Sequence, residues 1–106
     1  MNVLDQYSRR VLAGLDLGEE TVSALIGEHK GGTYRALGLG EAPTQGIRDG
    51  RVENIGDAVE SVVAAIREAQ EKAGVTAAVW YTNFFDPDME SVISRGSKTL
   101  KGEGQI

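Results

Sequence analysis

The chain has 106 residues, 16 acidic against 11 basic side chains for a formal net charge of −5, 14 glycines, two prolines, one histidine and no cysteine. Without cysteine there is no disulfide framework, thiolate metal site or cysteine nucleophile, and with His29 as the sole imidazole the usual zinc and triad constellations are out of reach. The acidic balance, broken by one adjacent basic doublet at Arg9-Arg10, argues against nucleic acid as the main partner, while 26 residues of Leu, Ile, Val or Phe are enough for one folded core.

Residues 1–10 carry no apolar period and are expected to be a disordered lead-in; being polar, they do not resemble a signal peptide. Residues 11–17 (VLAGLDL) are nearly all apolar apart from Asp16, as a strand buried on both faces should be. The short acidic turn Gly18-Glu19-Glu20 separates them from residues 21–27 (TVSALIG), a β-branched run that should pair back as a hairpin. After a second turn at Lys30-Gly31-Gly32, residues 33–41 (TYRALGLGE) complete an expected meander, with Tyr34, Ala36 and Gly38 on one face and Arg35, Leu37 and Leu39 on the other.

Residues 42–53 hold one proline and two glycines and read as an ordered connector anchored by Ile47 and Val52. The strongest element follows. Asn54 is a good N-cap, Asp57 suits the first turn, and Ile55, Val59, Val62, Ile66, Ala69 and Ala73 form one apolar stripe ended by Gly74. Glu68 and Lys72 stand four apart on its outer side. Residues 77–85 (AAVWYTNFF) are aromatic and β-prone, Asp86-Pro87-Asp88 marks a turn, and residues 89–100 alternate Met89, Ser91 and Ile93 against Glu90, Val92 and Ser94, which predicts a returning strand kinked at Gly96. The expected order is β-β-β-α-β-β.

Two groups of residues suggest function. Asp16-Leu17-Gly18 places a carboxylate and a glycine at the hinge of the first hairpin, where backbone N–H groups can face a phosphate and the aspartate can orient a hydrated metal ion. The same triplet also suits a plain strand end followed by a turn, and Glu19 and Glu20 set like charge beside any phosphate. The aromatic group Trp80, Tyr81, Phe84 and Phe85 holds four of the six aromatic residues and reads either as core packing or as an interaction surface. Neither Gly31-Gly32 nor Gly38-Leu39-Gly40 forms a dinucleotide-binding loop.

The segments VLAGLDLGEETVSALIGE, GLGEAPTQGIRDGRVENI and DAVESVVAAIREAQEKAGV together resemble the N-terminal part of the FtsA family of bacterial cell division proteins, within the actin-like ATPase superfamily. The second segment, glycines followed by G-I-x-x-G-x-V-x-N, is the more specific. The resemblance implies an α/β (or α+β) fold of the actin-like, ribonuclease H-like kind. Residues 11–76 would be the start of subdomain 1A, a three-stranded meander plus helix. Residues 77–106 would be the first strands of an SHS2-type subdomain 1C, with Ser94-Arg95-Gly96 on its second strand and Arg95 joining the aromatic group as an interaction surface.

It further implies a parent that links FtsZ filaments to the cytoplasmic membrane, recruits other divisome proteins, self-associates, and holds ATP and Mg between its large domains. In that parent Asp16 and Gly18 match the phosphate-1 positions, Glu19, Glu20 and Thr21 stand at the phosphate-facing positions that follow, and Asp16 reaches the metal through water. Glu19, Glu20 and Thr21 depart from the small hydroxyl and lysine residues usual there. Membrane attachment would use a C-terminal helix that is absent here, so the chain is expected to be an N-terminal fragment or a truncated reading frame, cytoplasmic, with no catalytic residue of its own and weak or no ATP binding. The intact parent would be at most a weak ATPase. The rival expectations are a piece of another actin-like or sugar-kinase-like ATPase, and a stand-alone protein-interaction domain.

Overall fold

The computed structural model describes residues 10–77, 80–83 and 88–104; of the lead-in expected over residues 1–10, residues 1–9 lie outside them, and Arg10 instead begins the first strand, paired with His29. Strand β1 (Arg10–Leu17) alternates inward Ala13, Leu15 and Leu17 with outward Leu12, Gly14 and Asp16, so it is buried on one face and not on both as expected, because among the described residues helices pack on one side of the sheet. It pairs antiparallel with β2 (Thr21–Lys30), where Val22, Ala24 and Ile26 are completely buried, and β2 pairs antiparallel with β3 (Thr33–Pro43). The expected meander is therefore present.

Its third strand differs in one respect. A bulge opposite Ile26 and Gly27 pairs Ile26 with Gly38 but Gly27 with Ala36, which leaves Leu37 as an extra residue. Tyr34 and Ala36 consequently face outward, whereas Gly38 joins Gly40 and Ala42 on the inner side, against the simple alternation expected from the sequence.

The connector contains a small hairpin of its own, β4 (Ile47–Arg48) and β5 (Arg51–Val52), whose turn residues Asp49 and Gly50 take φ of 50° and 72°. Two successive positive φ values define the tight turn that Asp-Gly favours. Ile47 and Val52 are cross-strand partners and both pack on the core, as expected of the anchors.

Helix α1 (Ile55–Ala73) begins where the sequence places it. The Asn54 side chain accepts from the Asp57 N–H, and the helix ends at Gly74 with φ 72°. Lys72 and Glu68 approach to 3.6 Å, a pair too exposed to contribute much. The buried side of α1 is broader than the expected stripe, because Ala58, Ser61, Val63 and Ala65 join Val62, Ile66 and Ala69. The reason is that α1 packs on β3 and β2 with one side and on a second helix with another. Ser61 is satisfied while buried: its hydroxyl accepts from the Gln45 N–H at 2.9 Å and lies 3.0 Å from the Pro43 carbonyl, to which it donates.

Strand β6 (Tyr81–Thr82) adds parallel to β1 and completes the sheet order β3-β2-β1-β6. The fold is thus a small mixed α/β unit. The stretch expected to return as a strand instead forms helix α2 (Met89–Gly104). Val92, Gly96 and Leu100 recur every fourth residue, Val92 and Gly96 are buried, and Gly96 lies over Val62 and Val63 of α1. Burying that stripe on the free side of α1 outweighs the short two-residue alternation, which in a strand would have found only the edge of β6. The expected turn residues Asp86 and Pro87, like Phe84 and Phe85, lie outside the described residues.

Candidate functional site at the β1–β2 turn

The strand alternation that buries Leu15 and Leu17 sends the Asp16 side chain to the exposed face at the end of β1. Leu17 and Val22 form the last pair of the hairpin, and beyond them the Gly18 N–H donates to the Thr21 carbonyl at 3.0 Å. A Cβ on Gly18 would stand 2.9 Å from that carbonyl oxygen, so the tight turn needs glycine there. Glu19, Glu20 and Thr21 are exposed.

Two residues absent from the sequence-derived site hold this turn from opposite sides. Thr44, just past β3, donates its hydroxyl to the Gly18 carbonyl at 2.7 Å and its N–H to the Glu20 carbonyl at 2.9 Å. Asn83, just past β6, donates Nδ2–H to Asp16 Oδ1 at 2.8 Å while its Oδ1 accepts from the Leu17 N–H at 3.1 Å. Its side-chain amide therefore extends the β1–β6 pairing beyond the two backbone pairs, Gly14 with Tyr81 and Leu15 with Thr82. Neither contact has a local sequence signal, since Thr44 and Asn83 lie 26 and 66 residues from their partners at Gly18 and Leu17.

The arrangement sets limits on the chemistry. The N–H groups of Leu17 and Gly18 are already engaged, so a phosphate here would meet the backbone of Glu19 to Thr21. Among the described residues no group of three or more His, Asp or Glu side chains could hold a metal ion. Asp16, with one oxygen bonded to an amide, suits contact with a hydrated cation through water and does not build a coordination cage.

Of the residues expected to form an interaction surface, the described ones are not in one patch. Trp80 is half-buried and packs against the core, Tyr81 is 69% exposed on the outer face of the sheet, and Arg95 is exposed on α2 in the helical layer. Among the described residues no helix is long and apolar enough to cross a membrane.

No family model matches the chain. Curated relatives do. The chain is 41% identical over 68 residues to cell division protein FtsA of Pseudomonas aeruginosa, an overlap of 63% of this chain and 16% of that protein. It is 35% identical over 63 residues to FtsA of Streptococcus pneumoniae, covering 59% of this chain and 14% of the relative. With FtsA of Neisseria meningitidis the identity is 30% over 102 residues, which is 95% of this chain and 24% of the relative. The chain is thus a relative of cell division protein FtsA, and it spans between about one seventh and one quarter of the length of these proteins.

Proposed function

We propose that this chain is the nucleotide-facing first portion of an FtsA-type division scaffold, in which the β1–β2 turn receives the phosphates of ATP. The observation that carries the reading is the join of two facts: FtsA sequence over most of the chain, and a tight turn at Gly18 with the Asp16 carboxylate fixed beside it. The meander followed by α1 also supports an actin-like subdomain 1A for residues 11–76. Because β6 pairs with β1 in the same sheet, it closes this unit and does not open an inserted subdomain 1C at residue 77 as expected; any such insertion would begin after β6.

In the whole protein ATP and Mg would sit between this unit and a second domain. Asp16 would orient water on the metal, Gly18 would allow the tight turn, and the backbone of Glu19, Glu20 and Thr21 would face phosphate. The acidic side chains of Glu19 and Glu20 must then point away from the anion. The scaffold would link FtsZ filaments to the cytoplasmic face of the membrane and recruit other division proteins, with at most weak ATP hydrolysis.

The test is co-sedimentation of the protein containing this chain with FtsZ polymers, with and without ATP. ATP-dependent pelleting is expected, and a protein that stays in the supernatant under both conditions refutes the reading. For this chain alone, isothermal titration should give weak or no ATP binding, because one wall of the cleft is not in it. Micromolar affinity would overturn the two-walled site.

A further inference from the structure

Asn83 meets both the backbone and the side chain of the candidate site. Strand β6 runs parallel to β1 with Gly14 opposite Tyr81 and Leu15 opposite Thr82, and the next residue, Asn83, continues that line with its side chain. Its amide Oδ1 accepts from the Leu17 N–H at 3.1 Å while its Nδ2–H donates to Asp16 Oδ1 at 2.8 Å. Each bond fixes the other. A backbone N–H only donates and an ionised carboxylate only accepts, so a single orientation of the amide satisfies both.

The backbone at Asp16 does not depend on this contact. It is held by β2, where Asp16 pairs with Ser23 and Leu17 with Val22, and the turn beyond is held by the Thr44 bonds to the Gly18 and Glu20 carbonyls. What Asn83 adds is the conformation of the Asp16 side chain. That side chain is exposed, and untethered it would exchange among the staggered χ1 wells; the bond from Nδ2 selects one of them. The same bond occupies Oδ1 and leaves Oδ2 to a ligand. Because the amide is neutral, the carboxylate keeps its charge for a cation, which Lys or Arg in this place would offset.

We propose that Asn83 is a positioning residue for a metal-bound nucleotide: through its amide it holds the Asp16 carboxylate in the one rotamer that offers Oδ2 to the water shell of a divalent cation. The proposal rests on the reading of the β1–β2 turn as a phosphate site and adds to it the residue that readies the aspartate. With one competent well among the staggered three, releasing the side chain lowers the competent fraction, and with it the affinity for the metal complex, by about threefold, and by up to about tenfold where χ2 is freed as well.

Calorimetric titration of ATP into the protein containing this chain, with Mg and again with EDTA, tests it. Asn83→Ala should weaken binding of the Mg complex by about three- to tenfold and leave binding in EDTA unchanged. In an Asp16→Ala background the same substitution should change affinity by less than about twofold, because no carboxylate remains to be held. Equal loss with and without Mg, an undiminished loss in the Asp16→Ala background, or no loss at all overturns the proposal and leaves the phosphate reading in place. A wild type that binds ATP under neither condition refutes that reading, and the proposal with it. A second measurement needs no nucleotide. Three-bond Hα–Hβ couplings of this chain should show Asp16 in a single χ1 rotamer, and averaged values in Asn83→Ala and Asn83→Asp. The second of these variants keeps an acceptor for the Leu17 N–H, so β6 stays paired while the donor to Asp16 is gone. Averaged couplings in the wild type, or a single rotamer retained in Asn83→Asp, overturn the proposal.

Discussion

Replacing Gly40 with alanine tests the packing that creates this fold. A Cβ at Gly40 would meet the carbonyl oxygen of Ala65 and stand 2.6 Å from the Ala69 nitrogen and 3.0 Å from the Ala65 carbonyl carbon. All of these are backbone atoms of α1, so no side chain can rotate away. Relaxed contacts lie near about 3.5 Å, so α1 must retreat by roughly 1 Å from β3. Over a contact patch of roughly 100 Å² that opens about 100 Å³, which at about 24 cal/mol per Å³ costs about 2.5 kcal/mol. A domain of this size has about 5–15 kcal/mol in total, so the variant should remain folded with a urea midpoint lowered by about 2.5 M for a slope near 1 kcal/mol/M. Urea unfolding followed by circular dichroism measures this. Gly14→Ala is the control, because a Cβ there meets nothing within 4 Å and should be neutral or stabilising by up to about 1 kcal/mol. Gly40→Ala within about 0.5 kcal/mol of wild type, or Gly14→Ala equally harmful, would refute the close approach of helix and sheet.

Three further outcomes follow from single contacts. Asn54→Ala removes the acceptor for the Asp57 N–H and should cost about 1 kcal/mol, read from the same unfolding curves. Asn83→Ala removes both bonds that carry the β1–β6 pairing past its backbone pairs, and hydrogen exchange at the Leu17 amide should accelerate about tenfold; unchanged exchange would show that β6 is held without it. Gly96→Ala puts a methyl in ordinary contact, 3.5 Å from Val63 Cγ2, inside a helix, and should stabilise by about 0.5–1 kcal/mol. A loss of stability there would argue against the helical packing of α2 on α1.

Much of the fold was legible because it rests on local rules. The apolar runs of residues 11–17 and 21–27 mark β1 and β2 as strands, and Asn54, Asp57 and Gly74 mark the ends of α1 through backbone groups only a few residues away; which face of β1 is buried was settled only by the packing of α1 on the sheet. The β4–β5 hairpin was legible too, from its Asp-Gly pair, but the connector reading passed over it. The returning strand at residues 89–100 failed because alternation over a few residues competes with a four-residue spacing whose reward is a surface on α1, and that surface exists only once α1 is packed.

The candidate site divides the same way. Asp16 and Gly18 can be named from the chain because a strand running into a turn is a local event, and the relationship to FtsA is carried by the order of residues alone. Thr44 and Asn83, which pin that turn, cannot, since they meet it only when β3 and β6 take their places in the sheet. The sequence by itself determined β1 to β3, α1, the acidic turn and the relatives. Tertiary structure decided which glycines admit a helix, which amide holds the aspartate, and that both helices pack on one face while Leu12, Leu25 and Leu39 stay on the other. The physical reason is reach: caps, turns and alternation act over a few residues, whereas close approach and burial depend on what the chain brings back from far away.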